Sequence, residues 1–317
     1  MKPRVAIAIG DPAGIGPEVS LKAAQHPEVL SLCDPVLVGS REALALHAAS
    51  CGISLERLYI RDVKHAPPRI GELAPEHGRA ALEAARLAIE GALAGKYDAV
   101  VGAPHTEAAI HAAGLKFDGY PSFVARVCGL SPDDAMLMLC FAHDGREVRI
   151  AHVTLHASVR EALAQVTGAR IIRTLRASDE ALKRLGIEKP RIAVSGVNPH
   201  AGEAGAFGRE ELDVINPALE AARRAGMAVD GPYGADTLFQ RREHDAYVVM
   251  LHDQGHVAAK VLAPNRAAAL TIGTPVLFSS VGHGSALDIA GKGSADPAAM
   301  IEAITRLVAQ RRRAAAT

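Results

Sequence analysis

Val5-Ala6-Ile7-Ala8-Ile9-Gly10-Asp11-Pro12-Ala13-Gly14-Ile15-Gly16-Pro17-Glu18 decides the fold class of this chain. A short apolar run meets a glycine-rich turn and then an amphipathic stretch, 16–24, with Pro17 in its first helical turn. This order reads as strand, loop, helix. The glycines admit two readings. Backbone N–H groups there can approach an anion at a helix N-terminus, or the segment is only a tight strand-to-helix turn. It is not a full G-x-G-x-x-G, because Val19 stands where the third glycine belongs.

The same alternation continues outward from this segment. Strand-like runs lie at 5–9, 35–38, 99–103, 136–141, 148–154, 191–197, 247–251, 270–272 and 276–279. Helical stretches stand between them, among them 41–49, 78–94, 120–128, 158–165, 169–185, 210–224, 255–262 and 298–309. The stretch 78–94 carries the period clearly, with Ala81, Leu82, Ala85, Ile89 and Leu93 on one side. Alternation of this kind predicts an α/β fold with a mostly parallel sheet. Pro/Gly-rich stretches at 64–75 and 231–234 read as surface turns.

A length of 317 residues suggests two domains on a prior of about 150 residues each. Hydrophobic residues make up 49% and aromatics only 3%, with no Trp, which disfavours stacking platforms for single-stranded nucleic acid. Lys+Arg and Asp+Glu are both 35, so no global field draws nucleic acid or an anionic membrane. The basic cluster Arg311-Arg312-Arg313 reads as a solvated tail. Cys33, Cys51, Cys128 and Cys140 are scattered, as in a reducing compartment. No apolar run is long enough for a membrane span or a signal-peptide core, so a soluble, cytoplasmic protein is expected.

Three histidines sit just past strand-like runs: His156, His200 in Asn198-Pro199-His200-Ala201-Gly202-Glu203, and His252 in Leu251-His252-Asp253-Gln254-Gly255. Imidazole is the commonest metal ligand, and a catalytic metal needs about three protein ligands and an open position. If these strand ends converge, the chain is a metal-assisted enzyme. Asp253 can serve His252 as a supporting carboxylate. Lys260 can polarise a substrate hydroxyl or bind a carboxylate, or is a solvated helix lysine. Asp236 is a further carboxylate in a Gly/Pro turn, or a helix N-cap. Ser280-Val281-Gly282-His283-Gly284 has small residues around a histidine, suited to a nucleotide or to a plain loop. His26, His47, His65 and His77 read as surface residues. No G-x-S-x-G elbow and no G-x-x-x-x-G-K-[ST] is present.

Read together, segments 10–18, 198–203, 231–237, 252–255 and 283–293 resemble the 4-hydroxythreonine-4-phosphate dehydrogenase family, in order over nearly the whole chain. The resemblance implies a two-domain α/β/α fold like that of isocitrate and isopropylmalate dehydrogenases, with the active site in the cleft between domains. The first, discontinuous domain is expected at 1–130 plus 280–317 and the second at 131–279. It further implies a homodimer and an NAD-dependent oxidation of a hydroxy acid with a divalent metal: Zn, Mn, Co or Mg. The metal histidines fall on His156, His200 and His252, the last reaching the site from the partner chain. The substrate lysine falls on Lys260.

The departures concern the substrate. Vitamin B6 enzymes of the family carry Gly-His-Thr-Glu where this chain reads Gly119-Tyr120-Pro121-Ser122, and their substrate-binding Asn and Arg fall on Ala269 and Phe278. A phosphate dianion needs Arg, Lys or directed N–H donors, and losing them together costs roughly a few kcal/mol. Segments 119–122, 152–156, 250–256 and 279–291 are similar to the terephthalate cis-dihydrodiol dehydrogenase branch. That similarity implies oxidation of a hydroxyl beside a carboxylate with decarboxylation, taking 1,2-dihydroxy-3,5-cyclohexadiene-1,4-dicarboxylate to protocatechuate. The alternatives are 4-hydroxythreonine-4-phosphate or a phosphorylated sugar acid such as threonate or erythronate phosphate. Lys260, Asp236 and Asp253 are the candidates for the hydroxyl proton. Gly14, Gly16, Asn198, Ser280, His283 and Gly284 are candidate cofactor contacts. Tyr120, Ser122 and Arg266 are candidates for the second carboxylate.

Overall fold

The computed structural model describes residues 2–264 and 266–314, with side chains as far as residue 308. The basic cluster at Arg311, Arg312 and Arg313 lies outside the described side chains. Two compact units divide the chain, Met1–Pro132 with Thr274–Arg312, and Asp133–Gly273. In the first follow β1 (Arg4–Ala8), α1 (Gly16–Ala24), α2 (Pro27–Leu32), β2 (Asp34–Gly39), α3 (Arg41–Cys51), β3 (Tyr59–Asp62), α4 (Pro75–Leu93), β4 (Ala99–Gly102), α5 (Glu107–Ala112) and α6 (Tyr120–Val127). The second holds β5 (Met136–His143), β6 (Arg146–His152), α7 (Val159–Gln165), α8 (Gly168–Arg184), β7 (Arg191–Ser195), α9 (Asn216–Arg224), β8 (Ala228–Tyr233), β9 (Ala246–Val249), α10 (His252–Leu262) and β10 (Ala268–Ile272). The chain returns to the first unit for β11 (Phe278–Ser280) and α11 (Ala298–Ala314).

The α/β expectation holds in both units. In the first, the strand order is β3-β2-β1-β4-β11 and every pairing is parallel. In the second, the order is β10-β5-β6-β9-β7-β8. There β10, β5 and β6 pair antiparallel, and β6, β9, β7 and β8 run parallel. Continuous apolar runs are what a parallel strand covered on both faces requires, and β1 and β9 are buried almost throughout. The α4 stripe predicted from its period packs Leu82, Ala85 and Ile89 into a core with Ala6, Val38, Val100 and Phe278. The second unit has its own core around Phe141, Ile150, Ala193, Tyr247 and Val249.

Four local expectations change. The strand β3 is exposed along most of its length and ends the first unit's strand order, so it lacks the apolar run that marks a buried strand. The 231–234 stretch is the end of strand β8, not only a turn, and Pro232 is tolerated because β8 is an edge strand. The helix expected at 255–262 begins at His252, because the Gln254 side-chain oxygen accepts the N–H groups of Met250 and Leu251 at 3.0 Å each. His47 and His77 are buried, not surface residues: His47 Nε2 meets Pro12 O at 3.1 Å and His77 Nδ1 meets Glu72 O at 3.0 Å.

Candidate active site

In the second unit, β6, β9, β7 and β8 are successive parallel neighbours, so their C-terminal ends lie along one edge. Past these four ends come His156, His252, His200 and Asp236 respectively. Ligands of parallel α/β sheets gather outside this edge, the carboxyl ends of the strands. The rings of His156 and His252 have centroids 5.8 Å apart. Nδ1 of His252 lies 2.7 Å from Asp253 Oδ1, and Nδ1 of His200 lies 3.1 Å from Glu203 Oε1. An ionised carboxylate only accepts, so each Nδ1 carries a proton, and in the neutral ring Nε2 is then the nitrogen with the lone pair. Carboxylate-backed imidazole is how metal-binding histidines are oriented. The donor set therefore fits a divalent cation of the borderline type. Among the described residues of one chain, no three His, Cys, Asp or Glu side chains group so that they could hold such an ion.

More imidazole lines this edge. His256 stacks on His252 with centroids 3.8 Å apart, and His152 lies 4.7 Å from His256. Burial pushes His152 down to about 3 and His256 down to about 4, so both rings are neutral near neutral pH. Gln254 ties two strand ends together. Besides holding the start of α10, its Nε2 donates to Gly196 O at 3.0 Å. Sequence reasoning misses Gln254. A glutamine three residues past the N-cap, here Leu251, is the available signal.

His200 stands in an unusual turn. Residues 200–204 all have left-handed φ, from +43° to +81°, and only one of them, Gly202, is glycine. Asn198 precedes the turn. Its amide donates to Glu210 Oε2 at 2.6 Å and to Glu211 Oε2 at 2.9 Å, which leaves only its carbonyl oxygen for a ligand. Asp236 is exposed and does not cap the short 3-10 turn Leu238–Gln240, whose N-cap position is Thr237. The bond from His252 lowers the Asp253 pKa below the ordinary carboxylate value. Lys260 lies exposed in the last turn of α10, and Arg266 is exposed between α10 and β10.

The first unit has a loop cluster of its own, past β1, β4 and β11. Thr106 Oγ1 lies 2.9 Å from Ser285 Oγ and hydrogen-bonds Asp11 Oδ2. Thr106 has one proton, which goes to the carboxylate, so Ser285 donates in turn to Thr106. Ile15 N donates to Ser285 O at 2.8 Å. A Cβ on Gly14 would sit 2.6 Å from Ser285 Cβ, and one on Gly16 would collide with Ile9 O. These two glycines are filled by the protein's own atoms. Gly284 differs: a Cβ there would meet nothing within 4 Å. His283 Nδ1 lies 3.2 Å from Gly284 O, and Ser280 is buried at the end of β11.

Tyr120 lies in the core. Its ring packs 4.7 Å from Phe278 and 4.8 Å from His105, and its hydroxyl points to Ala103 O at 3.5 Å. Burial pushes the phenol pKa up. The structure thus brings Ser122, on the same helix and partly exposed, nearer to solvent than Tyr120. Phe278 is fully buried. His105 has no signal in the sequence, and burial lowers its pKa.

A family model described as "Pyridoxal phosphate biosynthetic protein PdxA" matches residues 31–307. The chain is 45% identical over 314 residues to the 1,2-dihydroxy-3,5-cyclohexadiene-1,4-dicarboxylate dehydrogenase of Comamonas sp, covering 97% of this chain and 98% of that one. Two solved structures are also similar. A terephthalate 1,2-cis-dihydrodiol dehydrogenase from Burkholderia xenovorans LB400 is 40% identical with a TM-score of 0.76, over 97% of this chain and 98% of that one. A 4-hydroxythreonine-4-phosphate dehydrogenase from Burkholderia phymatum is 34% identical with a TM-score of 0.85, over 97% and 99%. No helix among the described residues is long and apolar enough to cross a membrane. With its strand-end histidines and a match of this extent, the chain belongs to the family described as pyridoxal phosphate biosynthetic protein PdxA and is a dehydrogenase, an oxidoreductase.

Proposed function

We propose that this dehydrogenase oxidises the hydroxyl beside a carboxylate in 1,2-dihydroxy-3,5-cyclohexadiene-1,4-dicarboxylate, with loss of carbon dioxide, to give protocatechuate. One observation carries the chemistry: three neighbouring parallel strands each lead to a histidine, and two of those rings are turned by a carboxylate on Nδ1. When bound, NAD would supply the hydride acceptor and a divalent cation the Lewis acidity that polarises the hydroxyl oxygen. His156, His200 and the partner's copy of His252 are the residues to hold the cation. Lys260 and Asp236 or Asp253 are the groups to take the hydroxyl proton, Asp253 being already the acceptor of His252 Nδ1. His283, Gly284, Ser280 and the carbonyl of Asn198 are the candidate cofactor contacts, with Gly14 and Gly16 shaping their loop from inside. Ser122 and Arg266 are the candidates for the second carboxylate. The two parallel runs, one in each unit, support the fold of isocitrate and isopropylmalate dehydrogenases. The four cysteines, none of them in a disulfide, accord with a cytoplasmic enzyme.

The substrate choice rests on the first unit. Where the phosphate-using relatives are expected to carry an Arg, this chain has Phe278, fully buried against Tyr120. That position offers a dianion no cation. The expected outcome is NAD reduction with the diol dicarboxylate and no more than trace reduction with 4-hydroxythreonine-4-phosphate or threonate 4-phosphate. The reverse preference would overturn the proposal in favour of a phosphorylated hydroxy acid.

A homodimer is part of the proposal. On α10, Val257 is 57% and Val261 is 72% exposed, one helical turn apart, on the helix that begins with His252. On α7, which follows His156, Val159 and Leu163 are exposed too. Apolar side chains gathered beside the metal-ligand candidates suit a self-complementary interface. His200→Ala and His252→Ala are each expected to be inactive alone. Mixed and re-paired, they should regain about a quarter of wild-type turnover, because half the dimers are hybrids with one intact site. No regain would sink the shared site.

A further inference from the structure

We propose that Glu211 is a positioning residue: its buried carboxylate is the template on which the left-handed turn carrying His200 is folded. The proposal rests on the reading of His200 as a metal ligand. Glu211 is 2% exposed. Its Oε1 accepts the backbone N–H groups of Val197 at 2.7 Å and Asn198 at 2.8 Å, and its Oε2 accepts the Asn198 amide at 2.9 Å. Three donors from one loop thus converge on one carboxylate. Charge-assisted bonds of this kind are about twice as strong as neutral ones.

The loop is also shaped around those oxygens. A Cβ on Gly196 would stand 2.8 Å from Glu211 Oε1, and one on Gly202 would stand 2.7 Å from Oε2. Both glycines therefore clear space for the carboxylate. Glu211 itself opens a π-helical turn, Glu211–Ile215, a distortion that recurs at functional sites. The segment needs such a hold. His200, Ala201, Glu203 and Ala204 are non-glycine residues in the left-handed region, which L-residues disfavour because Cβ crowds the following carbonyl oxygen. Conformations of that kind persist only where surroundings fix them. The bonds of the turn itself are Ala201 N to Asn198 O, Ala206 N to Glu203 O and Phe207 N to Gly202 O, with His200 Nδ1 on Glu203 Oε1. From outside the turn, Glu211 holds Val197 and Asn198, the two residues through which the chain enters it.

Glu210 is the internal comparison. It bonds the same Asn198 amide but is exposed and reaches none of the backbone N–H groups that Glu211 holds. The test titrates cobalt(II) alone into the full-length protein and its Glu211→Ala, Glu211→Gln, Glu210→Ala and His200→Ala variants. Affinity and the cobalt visible spectrum are read beside the unfolding midpoint. Expected is a loss of about 10- to 100-fold in cobalt affinity for Glu211→Ala, with a changed spectrum. Glu210→Ala should stay within about twofold of wild type, well short of the loss a metal-supporting residue gives. Glu211→Gln should fall between, since it keeps one oxygen for the two backbone N–H groups but sets an NH2 against the Asn198 amide. Should Glu211→Ala not fold, the Gln variant decides. Wild-type affinity and spectrum in Glu211→Gln and Glu211→Ala, while His200→Ala loses cobalt, overturns this proposal alone. Wild-type affinity in His200→Ala overturns the metal-ligand reading, and this proposal with it.

Discussion

The two loop clusters are built in opposite ways. In the first unit, the loops past β1, β4 and β11 are locked by the protein's own atoms: Ser285 fills the space at Gly14, and Asp11, Thr106 and Ser285 share a hydrogen-bond relay. In the second unit, the histidines past β7 and β9 are held by single carboxylates, and one of them sits on a turn of the wrong hand. A glycine-rich loop after the first strand invites a ligand reading, yet there the glycines serve packing. Under the proposed function this difference divides labour, with one internally bonded cluster as a platform and one set of imidazoles for chemistry.

Breaking that contrast is straightforward. The largest effect is expected from His200→Ala, which should lower NAD reduction with the diol dicarboxylate by at least about 100-fold, the upper range for even an indirect supporter of a metal site. Unchanged turnover would remove the second cluster from the chemistry. Gly14→Ala should act on stability first, costing about 1–3 kcal/mol by overpacking against Ser285 in a denaturant titration. If it instead leaves stability intact and abolishes NAD binding by calorimetry, the loop is a cofactor cradle and the contrast collapses. Thr106→Val removes the partner of Asp11 Oδ2 and of the Ser285 hydroxyl, while Asp11 Oδ1 keeps the Ala13 N–H, at about 1–3 kcal/mol for a buried group left unpaired. An equal loss of activity without loss of stability would place that relay in catalysis.

The smallest effect is a pH dependence of the first cluster. His47 is buried with Nε2 on Pro12 O, and burial lowers its pKa below the ordinary 6.5. The unfolded chain then takes up the proton more readily than the folded one. This contribution to stability is complete above pH 6.5 and is lost as pH falls below it. One such proton gives a slope of at most about 1.4 kcal/mol per pH unit. His47→Gln keeps a donor for Pro12 O and should flatten the acid limb of a melting-temperature profile. An unchanged profile would assign acid sensitivity elsewhere.

Much of this architecture is legible in the order of residues alone. Alternating apolar runs and helical stripes point to α/β, because a parallel strand must be apolar throughout and a covering helix must not. His156, His200 and His252 are visible as strand-end residues. That their strands are neighbours is not, since strand order depends on contacts far apart in sequence. The edge strands β3 and β8 escape a reading by apolar runs because an edge tolerates charge, Gly and Pro that a central strand does not. Glu211 leaves no signal of its own: its partners are two backbone N–H groups and an amide, which no pattern of side chains announces. Tyr120 draws attention by its hydroxyl, whereas its position is set by Phe278, Phe117 and His105 around the ring.

The backward turn at residues 200–204 sets two demands against each other. Folding favours glycine wherever φ is positive, and Ala201 and Ala204 each keep a methyl group that this conformation disfavours. A more flexible chain would sit there at lower local cost but would let the imidazole wander. Keeping side chains narrows the conformations open to the loop before anything binds, so less entropy remains to be lost when it closes on a ligand. The turn thus keeps a local cost, and on the metal-ligand reading the imidazole is better aimed for it.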